Sequence, residues 1–339
     1  MKPAASPLEL HGSFALAMST RQPSLSLFSG SCGEIAYHPA LHALGSSLVL
    51  GDPLCSEVDR PSLLADFLAV NPRSAFLQVS ESTALELGRL GFHCTPMGFE
   101  SWIPLQDWHL RGQARKYLRY VLSRARRQAV TLQDWPDYLE RMDELQEISR
   151  HWLGLRRRNA SELHFLARPL DSCHDPATRC FVARRDGRTI AFVMFDPLYR
   201  DGRVIGYAAS LLRSRELGSA GWQDFIVLGA MEHFRLRGLE WLTLGLSPFA
   251  PAEAAQAISS PPATRAIFSW WLEHGNWLYN FRGVGFHKRR YPAQRRTMYF
   301  CSRQALPLLE LRDALAAMQV RPLQRFGGHL LRMLESASG

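Results

Sequence analysis

Apolar runs closed off by turn residues alternate with stretches of helical periodicity along this 339-residue chain, and that alternation confines it to a mixed α/β or α+β fold. Short runs rich in branched and aromatic residues predict strands over 34–37, 47–50, 75–79 and 93–104. Between them, 62–70 and 82–90 have helical spacing, and Gly91 stands where a left-handed residue would end the second helix. Beyond a helix over 136–153, with Pro136 in its first turn, strands follow at 179–184, 189–197 and 203–212, joined by tight turns at Arg185-Asp186-Gly187 and Asp201-Gly202. A helix over 222–237, a stop at Gly238 and a strand over 240–246 complete the series. The length favours two domains over one, and no low-complexity linker parts them. The expected division is a first unit over 1–110, a connecting helix over 111–130 and a second unit over 131–339.

Charge marks the connection. Fourteen of the forty Lys and Arg residues lie in two acid-free segments, 111–128 and 281–304, although the whole chain carries a net charge of only +9. The remainder is therefore net negative, and the basicity is localised. Such clustering suits a polyanion, because each phosphate neutralised releases condensed counterions. A nucleic acid is the first partner to consider and an anionic membrane surface the second; two merely solvated faces are the third reading. In the first segment Tyr117, Tyr120, Val121, Leu122 and Ala125 form an apolar stripe, which leaves Arg115, Lys116, Arg119, Arg126 and Arg127 facing outward.

The six cysteines are scattered without paired spacing, so they read as reduced thiols in a cytosolic protein. Cys173, His174 and Cys180 form the one grouping that tempts a metal reading, and their spacing fits no common site, so no metal is expected. Neither a signal peptide nor an apolar run of the ~18 residues that a membrane span needs is present. The expectation is a cytoplasmic protein. A peripheral membrane contact stays open through the basic, amphipathic stretch 323–334, which Gly327 and Gly328 weaken as a helix.

Hairpin strands, a glycine-containing loop, a helix and another strand follow the order used by GNAT-type N-acyltransferases, in which loop amides and a helix N-terminus cradle a pyrophosphate. Arg215, Gly218 and Ala220 satisfy the loose RxxGxA pattern of that family, although a glycine turn that merely starts a helix explains them as well.

A longer series of phrases is more specific. Leu50-Gly-Asp-Pro-Leu54, Phe76-Leu-Gln-Val-Ser80, Gly98-Phe-Glu100, the Arg119…Arg124…Arg126-Arg127 helix, Leu244-Gly-Leu-Ser-Pro248, and Tyr279-Asn-Phe-Arg-Gly283 running into His287-Lys-Arg-Arg-Tyr291 resemble, in order and spacing, the catalytic domain of phosphatidylglycerol lysyltransferases and related aminoacyl-tRNA-dependent transferases. The match runs from about residue 30 to 305. The resemblance implies two tandem GNAT-like acyltransferase domains joined by a basic helix, with aminoacyl-tRNA as co-substrate and no separate cofactor. It also implies an acceptor that is either a lipid hydroxyl or a soluble amine or hydroxyl, as in related natural-product pathways. Two departures matter. Ser210-Leu-Leu-Arg213 keeps the arginine of the family's Asp-Leu-Met-Arg phrase and loses its carboxylate, which favours a small neutral amino acid over lysine. Arg295-Arg296 stand where the family has Trp-Glu, which shifts that region toward anions.

Transfer from an aminoacyl ester needs positioning, a base for the acceptor proton and stabilisation of an oxyanion, and no nucleophile elbow is present, so direct attack is expected. Arg213 is the candidate for binding phosphate or polarising the ester, beside Ser210, and a structural ion pair is its alternative. Lys288 and Arg290, flanked by Tyr279, Asn280 and Tyr291, are candidates for the tRNA acceptor end, with core packing the alternative for the aromatics. His287 is a candidate general base, although neighbouring cations oppose its protonation. Glu100 is a candidate for holding the inter-domain cleft, and Asp52 belongs to an ordinary turn. An acyl-CoA or acyl-carrier-protein N-acyltransferase and a non-catalytic tRNA-binding protein are the competing functions.

Overall fold

In the computed structural model the described residues are 5–41, 45–155, 164–170, 175–216, 221–252, 258–275 and 281–319. Gly218, Ala220, Tyr279, Asn280, Cys173, His174 and the stretch 323–334 lie outside them. The expected mixed α/β fold is present. Its strands are β1 (Ser26–Gly30), β2 (Gly33–His38), β3 (Ser47–Leu50), β4 (Leu54–Cys55), β5 (Ser74–Val79), β6 (His93–Pro104), β7 (Thr131–Asp134), β8 (Arg179–Arg185), β9 (Arg188–Arg200), β10 (Arg203–Ser214), β11 (Trp241–Pro248) and β12 (Gln294–Ser302). Its helices are α1 (Pro7–His11), α2 (Arg60–Val70), α3 (Glu81–Arg89), α4 (Lys116–Arg127), α5 (Met142–Leu155), α6 (Trp222–Leu236), α7 (Pro262–His274), α8 (Phe281–Lys288) and α9 (Leu308–Ala317).

The strands join in one sheet in the order β1-β2-β3-β5-β12-β6-β11-β10-β9-β8-β7, with β4 paired to β2. Successive side chains of a strand point to opposite faces, so each buried strand feeds two cores. In the β7–β11 half, Phe181 and Val193 pack with Val121 of α4 and Ile226 of α6, while Val182 and Phe192 pack on the other face with Leu145 and Ile148 of α5. In the opposite half, Phe76 and Tyr299 pack under Leu63 of α2 and Leu87 of α3, while Leu77 and Phe300 meet Phe268 of α7 and Leu311 of α9. Strand β12, from late in the chain, inserts between β5 and β6, so the chain returns to the half of the sheet it built first.

Three expectations need correction. Tyr120 is 51% exposed, and Leu118 takes its place with Val121 and Ala125 in the buried stripe of α4, because positions three and four apart share one helical face. The helix expected from Pro136 begins later, at Met142 after a 3-10 turn, because the Trp135 amide donates to the Cys180 carbonyl at 2.8 Å and keeps that stretch on the sheet edge. The cysteines are not all reduced: Cys94 and Cys301 are register partners on β6 and β12 and form a disulfide, whereas Cys32, Cys55 and Cys180 are free.

Candidate functional site

The second basic segment converges on the start of α6. Asp224 is in the first turn of that helix, where a carboxylate complements the exposed amides and the positive dipole end, and it is 3% exposed. It accepts from the Tyr291 hydroxyl at 2.6 Å, from the Tyr117 hydroxyl at 3.2 Å and from Arg290 Nη1 at 3.2 Å, and His287 Nε2 lies 3.3 Å away. The Arg290 guanidinium lies over the Tyr117 ring at 4.0 Å and the Phe286 ring at 5.0 Å. Tyr291 stacks on Trp108 at 6.3 Å between centroids. Residues His287, Arg290 and Tyr291, predicted from one stretch of sequence, are thus held in place by one buried acid from another.

Lys288 points the other way, into the sheet. β11 carries a bulge between Thr243 and Leu246 where it runs beside β6, and Gly245 adopts φ +69°, a left-handed conformation natural to glycine. Lys288 Nζ donates to the Leu246 carbonyl at 2.5 Å beside this bulge. Burial pushes its pKa down to about 7, against the pull of the Glu100 charge. Glu100, the β6 partner of Leu246 and of Arg296 on β12, is 2% exposed and accepts from Gln78 Nε2 at 2.7 Å and Trp102 Nε1 at 2.8 Å. Its pKa is raised by burial, against those hydrogen bonds. Desolvation thus pushes both groups toward their neutral forms, and the charge of each opposes that shift in the other. Arg296 lies over Trp102 at 3.9 Å and Trp241 at 5.1 Å.

The other candidates are elsewhere. Arg213, 9% exposed, donates to Ser149 Oγ at 3.3 Å and stacks on Trp152 at 4.1 Å, both on α5. Ser210 donates to the Met194 carbonyl at 3.3 Å. Arg215 donates to the Thr189 carbonyl at 3.0 Å and to Glu147 at 2.8 Å. Leu211, two residues from Arg213 on β10, belongs to the α5 core, whereas Tyr291 belongs to the α6 core, so Arg213 is separated from the His287 cluster by the sheet. On α4, Lys116, Arg126 and Arg127 are exposed, and Arg115, in the 3-10 turn just before it, is half-buried. Arg119 is exposed as well, but its guanidinium closes the preceding loop by donating to the Leu110 and Gly112 carbonyls, each at 2.7 Å. The Asp52 carboxylate accepts from the Ser80 amide at 2.8 Å, a long-range tie to the start of α3 rather than a bond within its own turn. A buried pair that sequence reading missed, Arg168 with Asp196, is bidentate, with a 2.8 Å contact from Nε. Asp224 was missed too, because an acid in a first helical turn has an ordinary capping explanation.

Among the described residues no helix is long and apolar enough to cross a membrane, and no group of three or more His, Cys, Asp or Glu residues is disposed to hold a metal ion.

Residues 14–302 match the family described as "Phosphatidylglycerol lysyltransferase, C-terminal". A phosphatidylglycerol lysyltransferase of Bacillus subtilis is 24% identical over 264 residues, which is 76% of this chain and 30% of that protein. The chain spans only 30–36% of the length of the curated relatives it matches. Among solved structures, the C-terminal domain of a putative lysylphosphatidylglycerol synthetase from Agrobacterium fabrum superposes with a TM-score of 0.73 at 24% identity, covering 91% of this chain and 93% of that one. L-PGS from Bacillus licheniformis gives 0.74 at 20% identity, covering 93% and 94%.

Proposed function

Because the chain belongs to the family of phosphatidylglycerol lysyltransferase C-terminal domains, we propose that it is an aminoacyl-tRNA-dependent aminoacyltransferase that moves an amino acid onto a lipid hydroxyl or a small amine or hydroxyl. The observation that carries this reading is Lys288 at the β11 bulge. A cationic, aromatic-flanked segment ends there in an amine pushed down to about 7 beside a buried carboxyl group, which suits handling an ester and its proton at neutral pH. The two halves of the sheet are read as tandem GNAT-like units bridged by α4, whose exposed Lys116, Arg126 and Arg127 offer a salt-sensitive face to tRNA phosphates. Phe286, 64% exposed beside the Arg290 guanidinium, offers a platform for an unpaired base of the acceptor end.

The acceptor's oxygen or nitrogen attacks the ester carbon directly. Lys288 stabilises the developing oxyanion when charged, and the nearby Glu100 biases that charge. Arg215 is committed to Glu147 and the Thr189 carbonyl, which gives little support to a coenzyme A pyrophosphate site.

Incubation of the pure protein with a pool of tRNA charged with labelled amino acids, together with lipid and small-molecule fractions, tests the proposal. RNase-sensitive appearance of label in a lipid or small-molecule fraction is expected. Transfer from labelled acyl-CoA with none from charged tRNA would overturn it in favour of an ordinary N-acyltransferase, and tRNA binding without turnover would leave a binding protein.

A further inference from the structure

The donors around Asp224 favour one tautomer of a neighbouring histidine. Oδ1 receives the Tyr291 hydroxyl and faces His287 Nε2, while Oδ2 receives the Tyr117 hydroxyl and Arg290 Nη1. Both phenols have raised pKa values, chiefly through burial and then through the Asp224 charge, so they stay protonated and donate. Two hydroxyls and a guanidinium donate to the Asp224 carboxylate, so toward His287 it is an acceptor. With His287 Nε2 3.3 Å from Oδ1, the tautomer favoured here carries its proton on Nε2 and leaves a lone pair on Nδ1. That Nδ1 is buried, and it has no hydrogen-bond partner among the described residues. A buried acceptor without a donor is unfavourable in the resting protein and suits a donor that arrives with a ligand.

We propose that His287 and Asp224 form a proton-carrying pair for acyl transfer, with His287 Nδ1 as the base for the attacking acceptor and Asp224 as the positioning residue that holds the ring. This rests on the proposed aminoacyltransferase function. As the acceptor oxygen bonds to the ester carbon, its proton moves to Nδ1 and the imidazolium is stabilised by Asp224. When the bond from that carbon to the ribose oxygen breaks, Nδ1–H returns the proton to the departing oxygen, so no net proton is consumed. The charged groups around the ring agree with this cycle. Burial and the neighbouring Arg290 and Lys288 lower the His287 pKa, Asp224 on α6 opposes them, and Tyr117 on α4 and Tyr291 contribute no charge while protonated. The resting imidazole is therefore neutral and ready to accept.

Two readouts test the pair. Long-range proton–nitrogen spectra of protein labelled at histidine nitrogen, with His287 assigned by its absence in His287→Gln, are expected to show Nε2 protonated and Nδ1 bare. A protonated Nδ1 in the resting protein would overturn the proposal. In transfer kinetics, His287→Gln is expected to lower kcat/KM by roughly 10²- to 10³-fold. Asp224→Asn is expected to lower it by roughly 10²-fold and to displace the acidic limb of the pH profile, with circular dichroism confirming that each variant is folded. Full rates with an unmoved acidic limb in both folded variants would overturn it. If the unaltered protein transfers nothing, the proposed function fails, and the tautomer decides the pair.

Discussion

Lys288 Nζ and the Leu246 carbonyl are 2.5 Å apart, and the strand that carries Leu246 bulges next to the amine. Gly245 makes that geometry possible, since it is left-handed at φ +69°, a conformation that other residues adopt only with strain. The relationship ties a backbone irregularity to a buried amine, and its consequences are measurable.

Stability against pH reads the amine directly. The folded pKa of Lys288 is about 7, below the ~10.4 of an unfolded lysine. Between about pH 7 and 10 the unfolded chain binds a proton that the folded one lacks, so this group makes stability rise with pH across that window. Below about pH 7 the folded state must hold a buried ammonium, and the advantage is gone. Thermal melts of the native protein and of Lys288→Met should therefore diverge from pH 7 to 9, the native protein gaining relative to the variant. Parallel curves would show that the amine is solvated.

The exposed face of α4 is expected to govern tRNA affinity. Arg126→Glu together with Arg127→Glu should weaken binding and flatten the dependence of log K on log salt, by somewhat under one unit of slope for each phosphate that is no longer neutralised. A salt titration of filter binding checks this. Arg119 is a poorer probe, because its substitution also opens the loop closed through Leu110 and Gly112.

Arg213 is expected to act through stability. Its guanidinium meets Ser149 and Trp152 of α5 at 9% exposure, so Arg213→Ala should cost about 1–3 kcal/mol in denaturant unfolding. A loss of transfer with unchanged unfolding would instead assign it to substrate.

The Cys94–Cys301 disulfide joins residues 207 apart in sequence across neighbouring strands. Peptide mapping without reductant should recover the linked pair, and Cys301→Ser should lower stability by roughly 2–5 kcal/mol. Recovery of both peptides as free thiols would contradict the assignment.

Regular elements with a strong pattern were legible in the sequence. The strands at 47–50 and 93–104 coincide with β3 and β6 because their apolar runs end at clear turn residues. Strand β12 was not legible, since Arg295 and Arg296 occupy its exposed first half and only 298–302 are buried. The four-residue β7 is too short to show a period. At the site, clustering of cations pointed to Lys288, Arg290 and Tyr291, whereas Asp224 and the Leu246 carbonyl were invisible, because their roles depend on a helix start and a bulge brought together only by the fold. The same holds for Arg213 and Arg215, whose partners on α5 are 64 and 68 residues away in sequence.

The most direct test of the account is single-turnover transfer from charged tRNA by the native protein and by Lys288→Met, run in parallel with tRNA binding. The account predicts that RNase abolishes transfer, and that the variant binds tRNA with near-native affinity while transferring at least ~10²-fold more slowly. Transfer at the native rate by Lys288→Met, or transfer that survives RNase, would contradict it.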